Sequence, residues 1–254
     1  MMLCIGLMAY GSARILARKH WGLVAVFVGG LGSAMVRPHV TLIGMIALFA
    51  AYLLRPASRK SILGPVGKLA MLAVLAGGLI VVMSQMSSFF GVSVLDSGGT
   101  QQVLDRASSQ SDEGGSSFDA VRPTSPTGAL EAAVAVVFRP WPYEAHNVQA
   151  LAGSLEGMVL LALVLTSLRR IASIPRAMLV RPYIAYALLY SLSFAYAFSS
   201  IGNFGILSRQ RVQLYPLLVV LLCVPVGFGR SSELSPAASS QDGDATTPEP
   251  VASG

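Results

Sequence analysis

Residues Trp21–Leu54 read WGLVAVFVGGLGSAMVRPHVTLIGMIALFAAYLL, an apolar stretch whose only charged side chain is Arg37. A membrane-spanning helix needs about 17–25 apolar residues, so this stretch is too long for one crossing. Pro38 stops or kinks a helix. The stretch therefore predicts two short helices, Trp21–Val36 and Val40–Leu54, joined by a tight turn at Arg37-Pro38-His39.

The rest of the chain repeats the pattern. Leu69–Val92, Leu151–Leu168, Met178–Ser199 and Val212–Gly229 are each long enough to cross, and Met1–Leu16 is a shorter run. This predicts an all-α protein, a polytopic transmembrane helix bundle of about seven crossings. Composition agrees. The 254 residues are 54% hydrophobic and only 12% charged, with a mean hydropathy of +0.64. A soluble domain carries about 25% charged residues. An ordinary cytosolic enzyme, a disordered protein and a disulfide scaffold are excluded on that ground.

The formal charge is +6. Basic cytoplasmic loops produce such an excess in a membrane protein, so no nucleic acid is expected as a partner. The connections at 14–20, 55–68 and 169–181 hold Arg14, Arg18, Lys19, Arg55, Arg59, Lys60, Lys68, Arg169, Arg170, Arg176 and Arg181, and no acid. All three read as cytoplasmic. Residues 93–128 carry five acids against Arg106 and Arg122 and read as a flexible outer loop. The tail, residues 230–254, is rich in Ser, Pro and Ala and reads as disordered and cytoplasmic. The domain order is thus 1–92 (N-terminal transmembrane helices), 93–128 (outer loop), 129–229 (an interfacial or re-entrant helix at Ala129–Phe138, then C-terminal transmembrane helices) and 230–254 (tail).

Met1–Leu16 lacks a basic leader and a cleavage site, so it is no signal peptide. Either this first helix is marginal, or the chain is the C-terminal portion of a longer protein, which is the preferred reading. Cys4 and Cys223 have no metal-ligand spacing and read as small buried residues. There is no phosphate-binding glycine loop or nucleotide fingerprint. His20, His39 and His146 are scattered over different loops, so neither a metal nor another cofactor is expected.

Under this topology the unusual polar residues share the outer face. Arg37 and His39 lie in the first outer turn. Arg139, Glu144, His146, Asn147 and Gln149 lie in FRPWPYEAHNVQALAGSLEG (Phe138–Gly157), with Trp141 and Tyr143 as interfacial anchors. Pro140 and Pro142 end the preceding run. From Glu144 a helix could continue to Arg170, putting Glu144, Asn147 and Gln149 on one polar face and His146 in the first turn. Arg209 and Arg211 precede the last run. Ionisable groups near membrane depth are costly and mark function by default. Glu156, inside an apolar run, reads as a partner for one of these arginines. Arginines on a membrane face with no metal cluster suit a membrane-borne polyanion, because guanidinium forks match phosphate oxygens. A lipid-linked pyrophosphate sugar is such a substrate. Arginines would offset charge on its leaving group, and a histidine or Glu144 would take a proton from the attacking hydroxyl.

The stretch from His146-Asn147 through Gly157, followed by an apolar helix, resembles a motif of O-antigen ligases and polymerases. In that family a large periplasmic loop ends in a His-Asn pair ahead of a spanning helix. Arg139 is similar to the family's loop arginines, and Arg209-Gln210-Arg211 to basic motifs of bacterial polysaccharide polymerases. The resemblance implies a bacterial cytoplasmic-membrane glycosyltransferase acting on the outer face. It gives His146 the activation of the acceptor, and Arg139, Arg209 and Arg211 the lipid diphosphate, with Arg37, His39 and Asn147 as further substrate contacts. The partners are then a polyprenyl-pyrophosphate-linked glycan, membrane lipids and, if the chain is complete, a membrane partner subunit. Family members have ten or more crossings, which missing N-terminal helices would supply. The alternatives are a transporter or flippase subunit for a lipid-linked or anionic solute, and a non-catalytic membrane subunit.

Overall fold

The structure, a computed structural model, describes residues 1–55, 63–90, 102, 126–145 and 147–225. Arg59, Lys60, His146, nearly all of the 93–128 loop and the 230–254 tail lie outside the described residues. Among the described residues the chain is all-helical, with no β-strand. The helices are α1 (Met2–Leu16), α2 (Gly22–Val36), α3 (Pro38–Leu54), α4 (Leu63–Phe90), α5 (Pro126–Phe138), α6 (Val148–Thr166), α7 (Leu168–Ile171), α8 (Ile174–Val180), α9 (Pro182–Phe198), α10 (Phe204–Arg211) and α11 (Tyr215–Leu222).

The α2–α3 hairpin forms as the sequence predicts. A residue before proline is pushed out of the helical region, and Arg37 sits at φ −149°, ψ 85°. Pro38 then opens α3, where its missing N–H costs nothing. The same device recurs at Arg181-Pro182. Arg181 lies at φ −127°, ψ 94°, which divides the expected run Met178–Ser199 between the end of α8 and α9. The expected crossing Val212–Gly229 also differs. Its described helix is α11, eight residues beginning beside Pro216, about 12 Å long against the roughly 30 Å of a bilayer's hydrocarbon core. The run Ala129–Phe138 does form a helix, α5, but its Ala132 and Val136 are buried in the bundle and it packs on α9.

Among the described residues, two helices are long and apolar enough to cross a membrane. Pro65–Ser88 in α4 has a mean hydropathy of 2.3 with 6% of that span buried, and α6 has 1.9 with 28% buried. A core helix of a soluble protein would be mostly buried. These helices instead turn Leu69, Val81, Leu155 and Leu165 outward, a surface suited to lipid and costly in water at about 25 cal/mol per Å². Cys223 is exposed and Cys4 half-buried, so neither is the fully buried residue the sequence suggested. Both lie in apolar helices or at their ends, and burial there is set by the face the helix presents.

The centre of the bundle is α9. Tyr186, Tyr190, Phe194 and Phe198 recur every fourth residue, the spacing that puts side chains on one helix face. All four are buried, with successive ring centroids 6.3, 6.3 and 4.2 Å apart. This ladder faces α3. His39, in the first turn of α3, meets Phe198 edge-on at 5.7 Å, so α3 and α9 run antiparallel. The other end gathers cations on helix C-terminal carbonyls, which cations favour. Arg55 donates to Ile15 O at 3.2 Å, Lys68 to Arg55 O at 2.7 Å and Arg170 to Leu222 O at 3.4 Å.

Helices α1 and α2 touch backbone to backbone. A Cβ at Gly29 would lie 2.6 Å from the Cys4 carbonyl oxygen, whereas Gly6 faces open space. Small residues permit such close approach between apolar helices. Gly29→Ala should therefore lower the thermal unfolding midpoint in detergent, by a destabilisation of about 1–3 kcal/mol. Gly6→Ala should raise it slightly, because alanine is the better helix former by up to about 1 kcal/mol. Equal midpoints for the two variants would contradict the close packing.

Candidate functional site

At the end of the bundle where α3 begins and α9 finishes, three segments meet: the stretch after α5, the start of α6, and α10. The stretch after α5 is not helical from Glu144 onward, as the sequence had suggested. A short 3-10 turn spans Pro142–Glu144, Ala145 is extended at φ −82°, ψ 100°, and α6 starts only after Asn147. Ser167 then separates α6 from α7, so the expected uninterrupted helix to Arg170 is also absent. The prolines at 140 and 142 account for the start. Asn147 accounts for the restart, because its Oδ1 accepts the Ala150 N–H at 2.7 Å as an N-cap does. Asn147 is thus a capping residue, and Glu144 does not share a helix face with it.

Glu144 is instead paired with Arg139. Arg139 Nε donates to both carboxylate oxygens at 3.1 Å and Nη2 to Oε1 at 2.5 Å. The Trp141 amide donates to Oε2 at 3.0 Å. Partial burial alone would raise the Glu144 carboxyl, but the hydrogen bonds from Arg139 and Trp141, with the Arg139 charge, outweigh it and hold the group below the usual carboxylate range. A carboxylate so held is a poor proton acceptor. The other face of the Arg139 guanidinium lies 5.8 Å from the Phe204 ring centre.

Arg211 is fully buried. Its Nη1 donates to Val137 O at 2.9 Å and Arg139 O at 2.7 Å, and Nη2 to Gly153 O at 3.3 Å. Glu156 Oε2 is 3.5 Å from Nη2, so Glu156 is the arginine partner that the sequence suggested. Gly157 lets α6 pass directly against α5: a Cβ there would fall on the Phe138 carbonyl oxygen. Gly157 is thus a packing device beneath the loop.

Arg37 and Arg209 are differently placed. Arg37 is half-buried and donates to Gln210 Oε1, and Gln213 Nε2 donates to the same oxygen at 2.7 Å. Arg209 is exposed, with Nε bonded to Gly205 O at 2.8 Å. Neither has a carboxylate partner among the described residues. Between α6 and α10 lies an open cleft with about 290 Å³ of empty space including its mouth, lined by Pro140, Asn147, Gln149, Gly153, Phe204 and Ser208 among others. Arg139 lies over the Phe204 ring and Arg209 bonds Gly205 O, and both Phe204 and Gly205 line this cleft.

The sequence-derived residues Arg37, Arg139, Glu144, Asn147, Arg209 and Arg211 thus gather at one end, and His39 joins them through Phe198 at the head of the aromatic ladder. His146 lies outside the described residues. Sequence reading missed Gln210 and Gln213, which link Arg37 to α10. The polar Gln213 among Val212, Leu214 and Tyr215, three residues after Gln210, was the available signal. Compared with known protein families, with curated proteins and with solved structures, the chain shows no match.

Two outcomes follow from this geometry. Arg211→Met leaves three carbonyls and Glu156 without their donor and should cost about 3 kcal/mol. Glu156→Gln should cost less, since Glu156 is 43% exposed. Thermal unfolding compares them. Glu144 has a lowered native pKa, so its stabilisation is complete above the ordinary value of 4.5 and is lost as pH falls below that through the native value. Glu144→Gln should flatten the acid limb of a stability-versus-pH curve, and an unchanged limb would contradict the pairing.

Proposed function

We propose that this protein is a bacterial cytoplasmic-membrane polysaccharide polymerase or glycosyltransferase that uses polyprenyl-pyrophosphate-linked glycans on the outer face of the membrane. The chain crosses about seven times in this reading, with the Arg37–Arg211 end outside and the C-terminal tail in the cytoplasm. One observation supports that orientation. Arg55, Lys68 and Arg170 gather at the opposite end of the bundle, and basic connections favour the cytoplasm.

The observation that carries the functional reading is that Arg37, Arg139 and Arg209 lie at one end of the bundle, Arg139 and Arg209 each against a residue that lines the cleft and Arg37 bonded to Gln210 of α10. Arg37 and Arg209 have no acid partner among the described residues. Cations left unpaired by carboxylates at membrane depth suit a diphosphate, whose departure they would assist by offsetting its growing charge. Arg139 already balances Glu144 and lies against Phe204, which lines the cleft. Arg211 acts differently from the sequence expectation. Its guanidinium is spent on protein carbonyls, so it holds the loop and does not touch phosphate. Asn147 and Gln149 line the cleft as contacts for the glycan. By the family resemblance, His146 activates the acceptor.

The test is a deletion strain complemented with wild type, Arg209→Ala, Arg37→Ala or His146→Ala at matched protein levels. Each variant should lower polymer by about 100-fold or more and let short lipid-linked units accumulate. Normal polymer from both Arg209→Ala and His146→Ala would sink the reading. Units retained on the inner leaflet would favour a flippase.

A further inference from the structure

The geometry points to a binding site for the phosphate of an anionic phospholipid, formed by Arg18, Arg55 and Lys68 at the end of the bundle away from the cleft. The site rests on the membrane orientation proposed above and is independent of the transfer chemistry. Helix α1 ends in a bonding pattern that glycine normally serves. The Lys19 amide donates to Arg14 O at 2.9 Å and the Arg18 amide to Ile15 O at 3.0 Å, the two bonds of a Schellman turn. Such a turn needs one left-handed residue, and here it is Arg18, at φ 66°. Glycine takes that conformation freely, whereas other residues are uncommon there.

Arg18 is joined to two further cations. Ile15 O also accepts Arg55 Nη1 at 3.2 Å, so the Arg55 guanidinium lies against the Arg18 turn. Arg55 O in its turn accepts Lys68 Nζ at 2.7 Å, and Lys68 also bonds Leu53 O at 3.0 Å. Three cations, from the ends of α1 and α3 and the early part of α4, are thus chained through two carbonyl oxygens. None pairs with a carboxylate among the described residues, and the connections 14–20 and 55–68 contain no acid. A helix C-terminus carries about half a negative charge. The ends of α1 and α3 therefore offset about one of the three positive charges. Burial and the Arg18 charge push the Arg55 guanidinium below its ordinary range, against a smaller opposing effect of Tyr52. The Arg18 side chain has no partner among the described residues, and Lys68 keeps one of its three donors. A phosphate diester supplies both the missing charge and the acceptor oxygens, which suit guanidinium groups.

The surroundings select a lipid over a free phosphate. Trp21, which precedes α2, is 80% exposed and stands where interfacial tryptophans anchor. Beyond it α2 turns Val24, Phe27 and Leu31 outward, and beside Lys68 α4 turns Val66 and Leu69 outward. The cations therefore lie where the outward apolar surface begins. A free phosphate would use only the cations, whereas a phospholipid uses the apolar faces as well. Basic pockets between helices on the cytoplasmic side are suited to anionic headgroups.

The experiment uses the full chain in neutral detergent, titrated with phosphatidylglycerol, phosphatidylcholine or inorganic phosphate. The thermal unfolding midpoint and the bound lipid are measured. Phosphatidylglycerol should raise the midpoint saturably, and the other two should not. Arg18→Gly removes the charge and relaxes the backbone. Without lipid it should melt at or above wild type, so a folding defect is separated from lost binding. Its affinity for phosphatidylglycerol should fall about fivefold, the effect of one cation near an anionic surface. Arg55→Gln should lose a similar factor, and Arg18→Lys, which keeps the charge, should lose little. Arg176→Ala removes an exposed cation from a different basic connection and should change the affinity less than about twofold at about 0.15 M salt, where distant charges are screened. Unchanged affinity in Arg18→Gly overturns the site, and so does an equal loss in Arg176→Ala, which would mark a diffuse charge effect. Stabilisation by inorganic phosphate or phosphatidylcholine to the same extent as phosphatidylglycerol overturns the lipid assignment. Failure of the transfer reading would leave all of these affinities as expected.

Discussion

The fully buried guanidinium of Arg211 is the contact on which the Arg37–Arg211 end of the bundle depends. Helix ends leave carbonyls without partners, and in a bilayer no water is present to satisfy them. Val137 and Arg139 offer such carbonyls at the end of α5, and Arg211 bonds both. Its other nitrogen reaches Gly153 in α6. One side chain of α10 therefore joins the end of one helix to the body of another. A buried cation is expensive unless its donors are taken up. Here three carbonyls and Glu156 take up the terminal nitrogens, which leaves only Nε without a partner.

That clamp fixes what lies above it. The chain between Phe138 and Asn147 has no helix of its own beyond one 3-10 turn. Its shape comes from two tethers, Arg211 on the Arg139 carbonyl and Arg139 on the Glu144 carboxylate. The first tether works through the backbone and the second through side chains, so they do not compete for the same atoms. The close pass of Gly157 under Phe138 brings α6 near enough for Gly153 to be reached at all. Glycine, arginine and proline thus act together: proline ends the helix, glycine admits its neighbour, and arginine joins the two.

Much of the fold was legible in the sequence because hydrophobic length and proline position are local signals. The hairpin at Arg37-Pro38 needed nothing beyond helix length and the geometry of the residue before proline. Arg181-Pro182 carries the same dipeptide, yet the apolar run around it reads as continuous, so the break was hidden by hydropathy. The eight-residue α11 was hidden in the same way, since Val212–Gly229 is apolar apart from Gln213. For the site, residue type was informative and role was not. Arg209 and Arg211 are two apart and look equivalent, but on a helix two residues apart point about 200° away from each other at 3.6 residues per turn. One must face the bundle if the other faces out. That arithmetic was available, and it separates a buried clamp from an exposed cation. The Arg139–Glu144 pair was not readable, because it depends on the 3-10 turn that two prolines impose.

The same division of labour gives the end of the bundle its chemical character. Each arginine that is tied to protein, Arg139 or Arg211, has a carboxylate beside it. Those two pairs are close to neutral as units. Arg37 and Arg209 are tied only through an amide oxygen and a carbonyl, which satisfy a donor but cancel no charge. The residual positive potential at this end therefore belongs to those two side chains, one from the α2–α3 turn and one from α10. They come from opposite ends of the sequence and are linked through Gln210. An anion bound between them would replace charge compensation that the described protein does not supply. In the proposed transfer, the negative charge that develops on a departing diphosphate has the same location and sign as that missing compensation. The neutral pairs beneath keep the loop in shape without drawing the substrate's charge away from Arg37 and Arg209, which no described carboxylate neutralises.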